Sequence, residues 1–541
     1  MQLLWLGCAV VALLILIVLV GFIWLAKLYR DEKTDPLRKL RGLEAPFFDS
    51  LADEVIGANQ VQHNEWVEAL GKTFKFNGFG KFDYRLVTSD LRALSYILNS
   101  PIYEKPWQTQ RLLSSFLGRG IGIMEGKEHA RLRRIVAPAF SNTNVRRLYA
   151  PVFAEKAAQL CEVWENAILS DEKKQPELDV SHWLNRATLD VIGLASFDHD
   201  FDGLRNDNQQ IFKAYKEMFE QFIKGKLIDV IIQIYCPWIT KFWKTNVSQI
   251  FQKNMKIIYT FGESVIQNKK RLVSAASSQG LSEKNGFGSD LLSRLLEANI
   301  NSSLDPSQRL TDKEILDQIN NFLFAGSDSS ALAMCWCLDF LAHHPTIQTQ
   351  LREEVRSMTR GSDMEEYTAA LETLPYLDSV VKETLRLSSP VHSTIRAPVQ
   401  DDMIPLSEEL ALADGTVVRE IKVRKGTYIH IPLEAFNIDK AMWGEDATEF
   451  KPERWSTLSS EAKSHPGLGG VLSFSFGPHS CPGWKFALTE IKVFIAALVS
   501  QFVFTPCEEI QRVNVILQRP YVQYKWEEGC KLPLKVELYA Q

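Results

Sequence analysis

Apolar side chains recur three and four positions apart over most of this chain, the period of helices with one buried face. Three stretches show it most clearly. The first runs from about Asp312 to His344. Thr311 and Glu314 make a capping-box pattern at its start, and Pro345 stops it. At 1.5 Å per residue it would be about 50 Å long, enough to cross a domain. Its centre, Ala325-Gly326-Ser327-Asp328-Ser329-Ser330, is small, polar and weakly helix-forming. The second runs from about Tyr376 to Ser388, where Leu377, Val380, Val381, Thr384 and Leu385 form a stripe. Glu383 and Arg386 are three apart and share a face. The third, Trp484 to Ser500, is apolar enough to be buried. Only short pieces read as strands, among them Thr416–Val423 and Tyr428–Pro432. The stretch 276–310, rich in Ser, Asn and Gly, is expected to contain a surface loop. No internal repeat or low-complexity tract breaks the pattern. The fold class is mainly α: one large helical domain with small β-sheets.

The N-terminus departs from this amphipathic pattern. Leu3 to Ala26 carries no charged side chain, and a run of that length can span a bilayer core of roughly 30 Å. No Lys or Arg precedes it, whereas Lys27, Arg30, Lys33, Arg38, Lys39 and Arg41 follow. That argues for a retained anchor over a cleaved signal peptide, with the body in the cytosol. The expected organisation is a transmembrane anchor over 1–27, a connector over 28–60 and the body over 61–541. Cytosolic placement would leave the Asn246 and Asn301 sequons unmodified.

Composition narrows the function classes. The net charge of −5 gives no reason to expect nucleic acid as a partner. Eight scattered cysteines, without a CxxC pair, do not make a secreted disulfide framework. Most of them read as buried, reduced thiols. Gly118-Arg119-Gly120-Ile121-Gly122 fits neither a P-loop nor a dinucleotide spacing, and predicts a flexible loop entering a helix at His129.

One cysteine stands apart. Phe474-Ser475-Phe476-Gly477-Pro478-His479-Ser480-Cys481-Pro482-Gly483 reads as a tight loop feeding a buried helix. Gly477 and Gly483 permit conformations or approaches that a side chain would block. Cys481 precedes the helix, where backbone N–H groups and the helix dipole favour a thiolate, the form that ligates metal. The alternative is a structural cysteine in a membrane-anchored interaction protein.

Phe474-x-x-Gly477-x-His479-x-Cys481-x-Gly483 resembles the haem-binding signature of the cytochrome P450 family. Glu383-Thr384-Leu385-Arg386 is similar to that family's Glu-x-x-Arg motif, and Phe450-Lys451-Pro452-Glu453-Arg454-Trp455 to the segment that supplies a second arginine. The resemblance implies the cytochrome P450 fold, haem b as cofactor and Cys481 as the iron's axial ligand. It implies that Glu383, Arg386 and Arg454 form a buried ion-pair network behind the haem loop, fixing geometry more than adding stability. It implies that the haem propionates are met by Arg396, by His479 where the family more often has Arg, and by His129 with Arg133, where His129 replaces a Trp. The other reading of His129 is a surface helix histidine.

The resemblance also implies a mechanism. The long helix would cross the haem face opposite the thiolate, with Ala325 and Gly326 leaving room for O2 and substrate and Asp328 and Ser329 relaying protons. Ser329 stands where the family usually has Thr, which keeps the hydroxyl but loses the methyl that restrains χ1. The implied reaction inserts one oxygen atom into a lipophilic substrate, such as a terpenoid, steroid, fatty acid or polycyclic aromatic. Electrons would come from NADPH through a separate cytochrome P450 reductase, with cytochrome b5 as a second donor, at the endoplasmic reticulum membrane. Arg131, Arg133, Arg134, Arg146 and Arg147 make a candidate docking face, or simply a solvated basic helix. Val391, His392, Ser393, Thr394 and Phe324 should border the substrate pocket. Phe212–Trp243, with Phe219, Phe222, Ile231, Tyr235 and Trp238, is a candidate membrane-facing access region. A non-oxygenating isomerase, dehydratase or haem-binding protein on the same fold is the competing reading.

Overall fold

The long helix forms over Asp312–His343, and its first turn is closed as the capping box requires. Thr311 N–H donates to Glu314 Oε2 at 2.7 Å, and Glu314 N–H donates to Thr311 Oγ1 at 3.2 Å. From Asp317 to Ala342 the helix is buried everywhere except at Ala325, Gly326 and Ser329. Its main neighbours are the helices Val180–Phe197 and Trp484–Gln501. The second helix spans Pro375–Leu387 and buries its Leu377, Val380, Val381 and Leu385 stripe.

This computed structural model describes the chain except residues 1–14, 16–17, 20, 24–25, 28, 47–49, 79, 174, 207–208, 225–226, 240–244, 279–289, 301–304, 306–308, 359–363, 459–464, 515 and 541. Most of the expected anchor, the Asn301 sequon, Cys8 and Trp243 therefore lie outside the described residues, as does the Phe222 side chain. Among the described residues no helix is long and apolar enough to cross a membrane.

The chain divides into two compact units, one of residues 107–392 and 436–541, the other of residues 1–106 and 393–435. The larger is the helical body. Among the described residues it carries two small sheets: Phe502–Pro506, Pro533–Leu538 and Glu177–Asp179 make one, and Ile510–Asn514 with Gln518–Val522 a hairpin. The smaller unit holds a six-stranded sheet in the order Gly42–Leu43, Thr73–Asn77, Tyr84–Thr88, Ile429–Pro432, Ser393–Pro398, Tyr103–Glu104. A second hairpin in it pairs Asp402–Ala411 with Val417–Val423.

Two sequence expectations are corrected here. Residues 28–60 are not a bare connector. Gly42–Leu43 pairs in parallel with Lys75 and Phe76, and Val55 of the helix Ala52–Gly57 enters a core with Phe74, Phe76 and Val87. The apolar positions there are too sparse to register as a period. Within the stretch 276–310, Leu291–Ile300 is a helix with Leu291, Leu292, Leu295 and Leu296 buried. The glycines at 118–122 do not make a flexible loop. Gly118 sits at φ +72°, and a Cβ there would lie 2.2 Å from the Asp317 carboxyl. At Gly120 a Cβ would lie 2.1 Å from the Asn321 amide. Asn321 is held by bonds to Leu117 O at 2.7 Å and Asp317 O at 2.9 Å, and Ile121 N–H donates to Gln318 Oε1 at 3.0 Å. The glycines let this backbone lie directly on the polar flank of the long helix.

Gly120→Ala should therefore destabilise the protein by about 1–3 kcal/mol, the usual cost of overpacking. Gly122→Ala, whose Cβ would meet only Asn321 Oδ1 at 3.4 Å, should cost clearly less. Thermal unfolding midpoints of the two variants give the comparison.

Candidate active site

The Cys481 loop is tight because its backbone is. Ser475 and Gly477 both have positive φ, +54° and +75°. These turns let Cys481 N–H donate to Phe474 O at 2.9 Å and Ser480 N–H to Gly477 O at 3.1 Å. The helix Trp484–Gln501 starts immediately afterwards, with Gly483 at its N-cap. Cys481 is a free cysteine, partly accessible. Burial pushes its thiol up, and the Gly483 N–H and the Arg133 guanidinium draw it back only in part. A metal bound there would take the thiolate form and oppose that rise. A Cβ at Gly483 would meet only Phe140, at 3.9 Å, so crowding by the protein does not demand glycine there.

The loop is held from behind by the Glu383–Arg386 pair. Both side chains are fully buried. Arg386 grips the carboxylate bidentately, Nε to Oε2 at 2.9 Å and Nη2 to Oε1 at 2.8 Å. Arg454 Nε donates to Oε1 at 2.8 Å, Lys451 N–H at 3.0 Å, and Trp455 Nε1 donates to Oε2 at 3.0 Å. Arg386 Nη1 then reaches the carbonyls of Asn437, at 3.2 Å, and Ala447. Asn437 passes the constraint on. Its Oδ1 accepts from Leu472 N–H at 2.8 Å and its Nδ2 donates to Ser473 Oγ at 3.1 Å, while Ser473 Oγ donates to Leu385 O at 2.6 Å. Ser473 is the residue before Phe474.

From the other side comes the helix Gly126–Val136. Arg133 donates to Ser480 O at 2.6 Å and to Ser480 Oγ at 3.0 Å. His129 is buried, not a surface histidine, and its ring stacks on His479 with centroids 3.9 Å apart. The turn that follows carries Phe140, which packs on Phe322 of the long helix at 5.5 Å and on Phe486 at 5.9 Å. One aromatic ring thus braces both the long helix and the helix after Cys481.

At its centre the long helix opens at three small residues. Ala325 is exposed and Gly326 and Ser329 are partly so, in an otherwise buried run. Ser327 and Ser329 each bond back to the carbonyl four residues earlier, at 2.7 Å, a pattern that loosens a helix locally. Gly326 serves packing as much as access: a Cβ there would lie 2.6 Å from Ile192 Cδ1 on the helix Val180–Phe197. Thr188 Oγ1 on the same helix donates to Ser327 O. Such a window could receive a flat cofactor and small ligands, and a half-accessible thiol on a fixed loop could ligate its metal. The residues fit haem b.

Asp328 and Ser329 are neighbours in sequence but not in direction. Asp328 is buried and forms an ion pair with Arg519, a residue that no motif singles out. Arg519 also lies over the Phe219 ring, 4.3 Å from its centroid. A cavity of about 100 Å³ borders this pair, lined by His182, Asn185, Phe324 and Tyr521 among others. Arg396 belongs to the smaller unit, where it is buried on the strand Ser393–Pro398 and donates to Thr394 Oγ1 at 2.7 Å. Arg131 and Arg133 turn inward, Arg131 to Glu314 and Arg309 O, and Arg146 and Arg147 pair with Glu372 and Glu365. Of that basic cluster, Arg134 and Arg147 are exposed.

A family model described as Cytochrome P450 matches residues 100–522. Cytochrome P450 monooxygenase 205 of Postia placenta is 38% identical over 517 residues, covering 94% of each chain. Ganoderic acid synthetase of Ganoderma lucidum is 30% identical over 483 residues, covering 86% of this chain and 87% of its own. A crystal structure of a cytochrome P450 superposes with a TM-score of 0.68 at 24% identity, covering 90% of this chain and 99% of that one. The chain belongs to the cytochrome P450 family. It is an oxidoreductase of the kind that incorporates molecular oxygen, as its monooxygenase relatives are named.

Glu490, on the helix after Cys481, is a buried carboxyl that motif reading missed. The Ser330 hydroxyl favours its ionised form, but burial outweighs it and pushes the group from 4.5 up to about 8. Below pH 4.5 folded and unfolded chains both hold this proton. Between 4.5 and about 8 the unfolded chain releases it first, so stability falls as pH rises, and the loss is complete above about 8. Glu490→Gln should remove that slope. Its unfolding midpoint should match the parent's near the acid end of the window and exceed it at the alkaline end.

Proposed function

We propose that this chain inserts one atom of O2 into a lipophilic organic substrate while the other leaves as water, with two electrons drawn from NADPH through a separate flavoprotein reductase. The observation that carries this reading is Cys481 itself, a partly exposed residue on a loop clamped by the Asn437 relay and by Arg133. Haem b bound through that sulfur would supply the oxygen-activating chemistry. His129, Arg133, Phe474, Gly477, His479 and Gly483 are proposed to form its setting.

The chain's own part is to place substrate and protons. Ala325 leaves space at the window. The Ser329 hydroxyl holds a proton there, parked on Ala325 O at 2.7 Å. Asp328 is proposed as the second member of that relay, engaged when its carboxylate turns from Arg519 toward Ser329. Phe324, Phe116 and Phe219 offer an apolar wall, with Phe324 5.3 Å from Phe219 and 6.5 Å from Phe116. That wall favours a terpenoid, steroid, fatty acid or polycyclic aromatic, and one relative is named for ganoderic acid.

The placement proposed is the endoplasmic reticulum membrane, anchored by Leu3–Ala26 with the body in the cytosol. Besides the charge pattern, an exposed patch of Trp107, Ile231, Tyr235 and Trp238 supports contact with lipid. Trp107 meets Tyr235 edge-on at 5.4 Å, and Arg111 holds Ile234 O at 2.7 Å beneath them.

Reduced protein treated with CO should show the red-shifted Soret band of thiolate ligation, and Cys481→Ser should lose it while remaining folded. With reductase, NADPH and isotopically heavy O2, product from a lipophilic library should carry one heavy atom. NADPH-independent rearrangement of a substrate, with no label incorporated, would instead establish the isomerase reading.

A further inference from the structure

Residues 198–206, which follow the helix Val180–Phe197, are held more firmly than a surface connection needs. Asp198 and Asp202 sit at φ +56° and +50°, where residues other than glycine are uncommon. Asp190 accepts from Gly203 N–H at 2.7 Å and from Leu204 N–H at 3.1 Å, and Arg186 Nε donates to Gly203 O. Lys156, itself buried, donates to both oxygens of Asp200 at 3.0 Å. Gly193 lets the segment lie back on its own helix, because a Cβ there would meet His199 O at 2.6 Å.

Between this segment and the helix Asn246–Ser278 lies a cavity of about 570 Å³, within the roughly 300–1,000 Å³ of pockets that hold organic molecules. It shares no lining residue with the cavity beside Asp328. Phe201 is buried and His199 and Phe261 are half-buried, so these three rings make its floor, with centroids 4.8–4.9 Å apart. Gln210, Lys256 and Thr260 are exposed and make its rim. Burial holds the His199 imidazole below its ordinary range, and the Asp200 carboxylate offsets this only in part, so the floor is uncharged near neutral pH. Among the described residues no carboxylate lines the cavity, although the chain's net charge is −5. Lys256 is its one cation, and it makes no ion pair among the described residues.

We propose that this cavity is a second small-molecule site, for an aromatic carboxylate whose rings pack on His199, Phe201 and Phe261 and whose anionic end meets Lys256. Aromatic rings join such a cluster edge-on or offset at about 4.5–7 Å, the geometry its members already use among themselves. The fixed backbone of 198–206 leaves little ordering for a ligand to impose, which favours affinity. An uncharged aromatic would gain the floor without the rim cation, and an aliphatic acid the reverse. The site stands apart from the haem-thiolate reading, because none of its residues lies on the Cys481 loop or on the long helix.

The test uses the full haem-loaded chain and para-benzoylbenzoate, a two-ring aromatic carboxylate that cross-links to its neighbours under near-ultraviolet light, with labelled peptides mapped by mass spectrometry. Labelling of the peptides that carry Phe201 and Phe261 should saturate with probe concentration. Lys256→Glu should raise the half-saturating concentration about 5-fold, the upper range for an exposed charge pair, while Lys256→Arg stays within about 2-fold of the parent. Thr260→Trp, at an exposed helical position, should fill the cavity and abolish the saturable label. Uncharged benzophenone should label the same peptides, with a half-saturating concentration that Lys256→Glu leaves unchanged. Label on the peptides of Phe116 or Phe324 reports the window of the long helix instead; it should be equal in all variants, and with an unchanged Soret band it shows that they are intact. Absence of saturable label at Phe201 and Phe261 up to millimolar probe would overturn the proposal. So would saturable label there that neither Lys256→Glu nor Thr260→Trp weakens.

Discussion

A buried carboxylate persists only where cations and N–H groups surround it, and Glu383 meets that condition with five donors. Arg386 supplies two, Arg454 one, and the Lys451 backbone and the Trp455 indole one each. Removing either partner of such a pair costs about 3–5 kcal/mol, because the charge left behind remains out of water. The pair's value here lies in what its geometry imposes elsewhere. Arg386 fixes the Asn437 carbonyl, the Asn437 amide fixes Leu472 and Ser473, and the Cys481 loop begins at the next residue. An arginine is needed because its planar fork serves the carboxylate and the carbonyls at once, which a lysine point charge cannot do.

The rest of the site is arranged around that fixed loop. Phe140 ties the long helix and the helix after Cys481 to the same ring. The long helix keeps its burial intact except at Ala325, Gly326 and Ser329, so the opening toward ligand is narrow and set by small side chains. Its backbone there is loosened by the Ser327 and Ser329 back-bonds and braced from outside by Thr188. Gly326 shows how one residue can serve both ends: its missing side chain admits Ile192 and so lets the helix Val180–Phe197 lie close against the window.

Local pattern made some of this legible in the sequence. Thr311 and Glu314 announced the long helix, the Leu377–Leu385 stripe announced the second, and the glycines around Cys481 announced a turn whose φ values are indeed positive at 475 and 477. Pairings between distant residues were not legible. Asn437 carries no motif, yet it links the ion pair to the loop. Arg519, 191 residues from Asp328, gave no sign that it would claim that carboxylate. The apparent neighbours Asp328 and Ser329 diverge because successive helical residues point about 100° apart. His129 and His479 read as two independent substitutions, since nothing in a single sequence shows that they touch. The segment 28–60 failed for a different reason: its buried residues are isolated positions in short elements, and a period needs repetition to be seen.

The most direct measurement of the central claim is the reduced CO spectrum of Arg386→Lys, with circular dichroism to report helix content. If the fork of Arg386 fixes the Cys481 loop, helix content stays near the parent's while the thiolate-type Soret band is largely lost. A variant that keeps both the helix content and the full thiolate band would contradict the account, because the loop would then hold its ligand without the relay through Asn437.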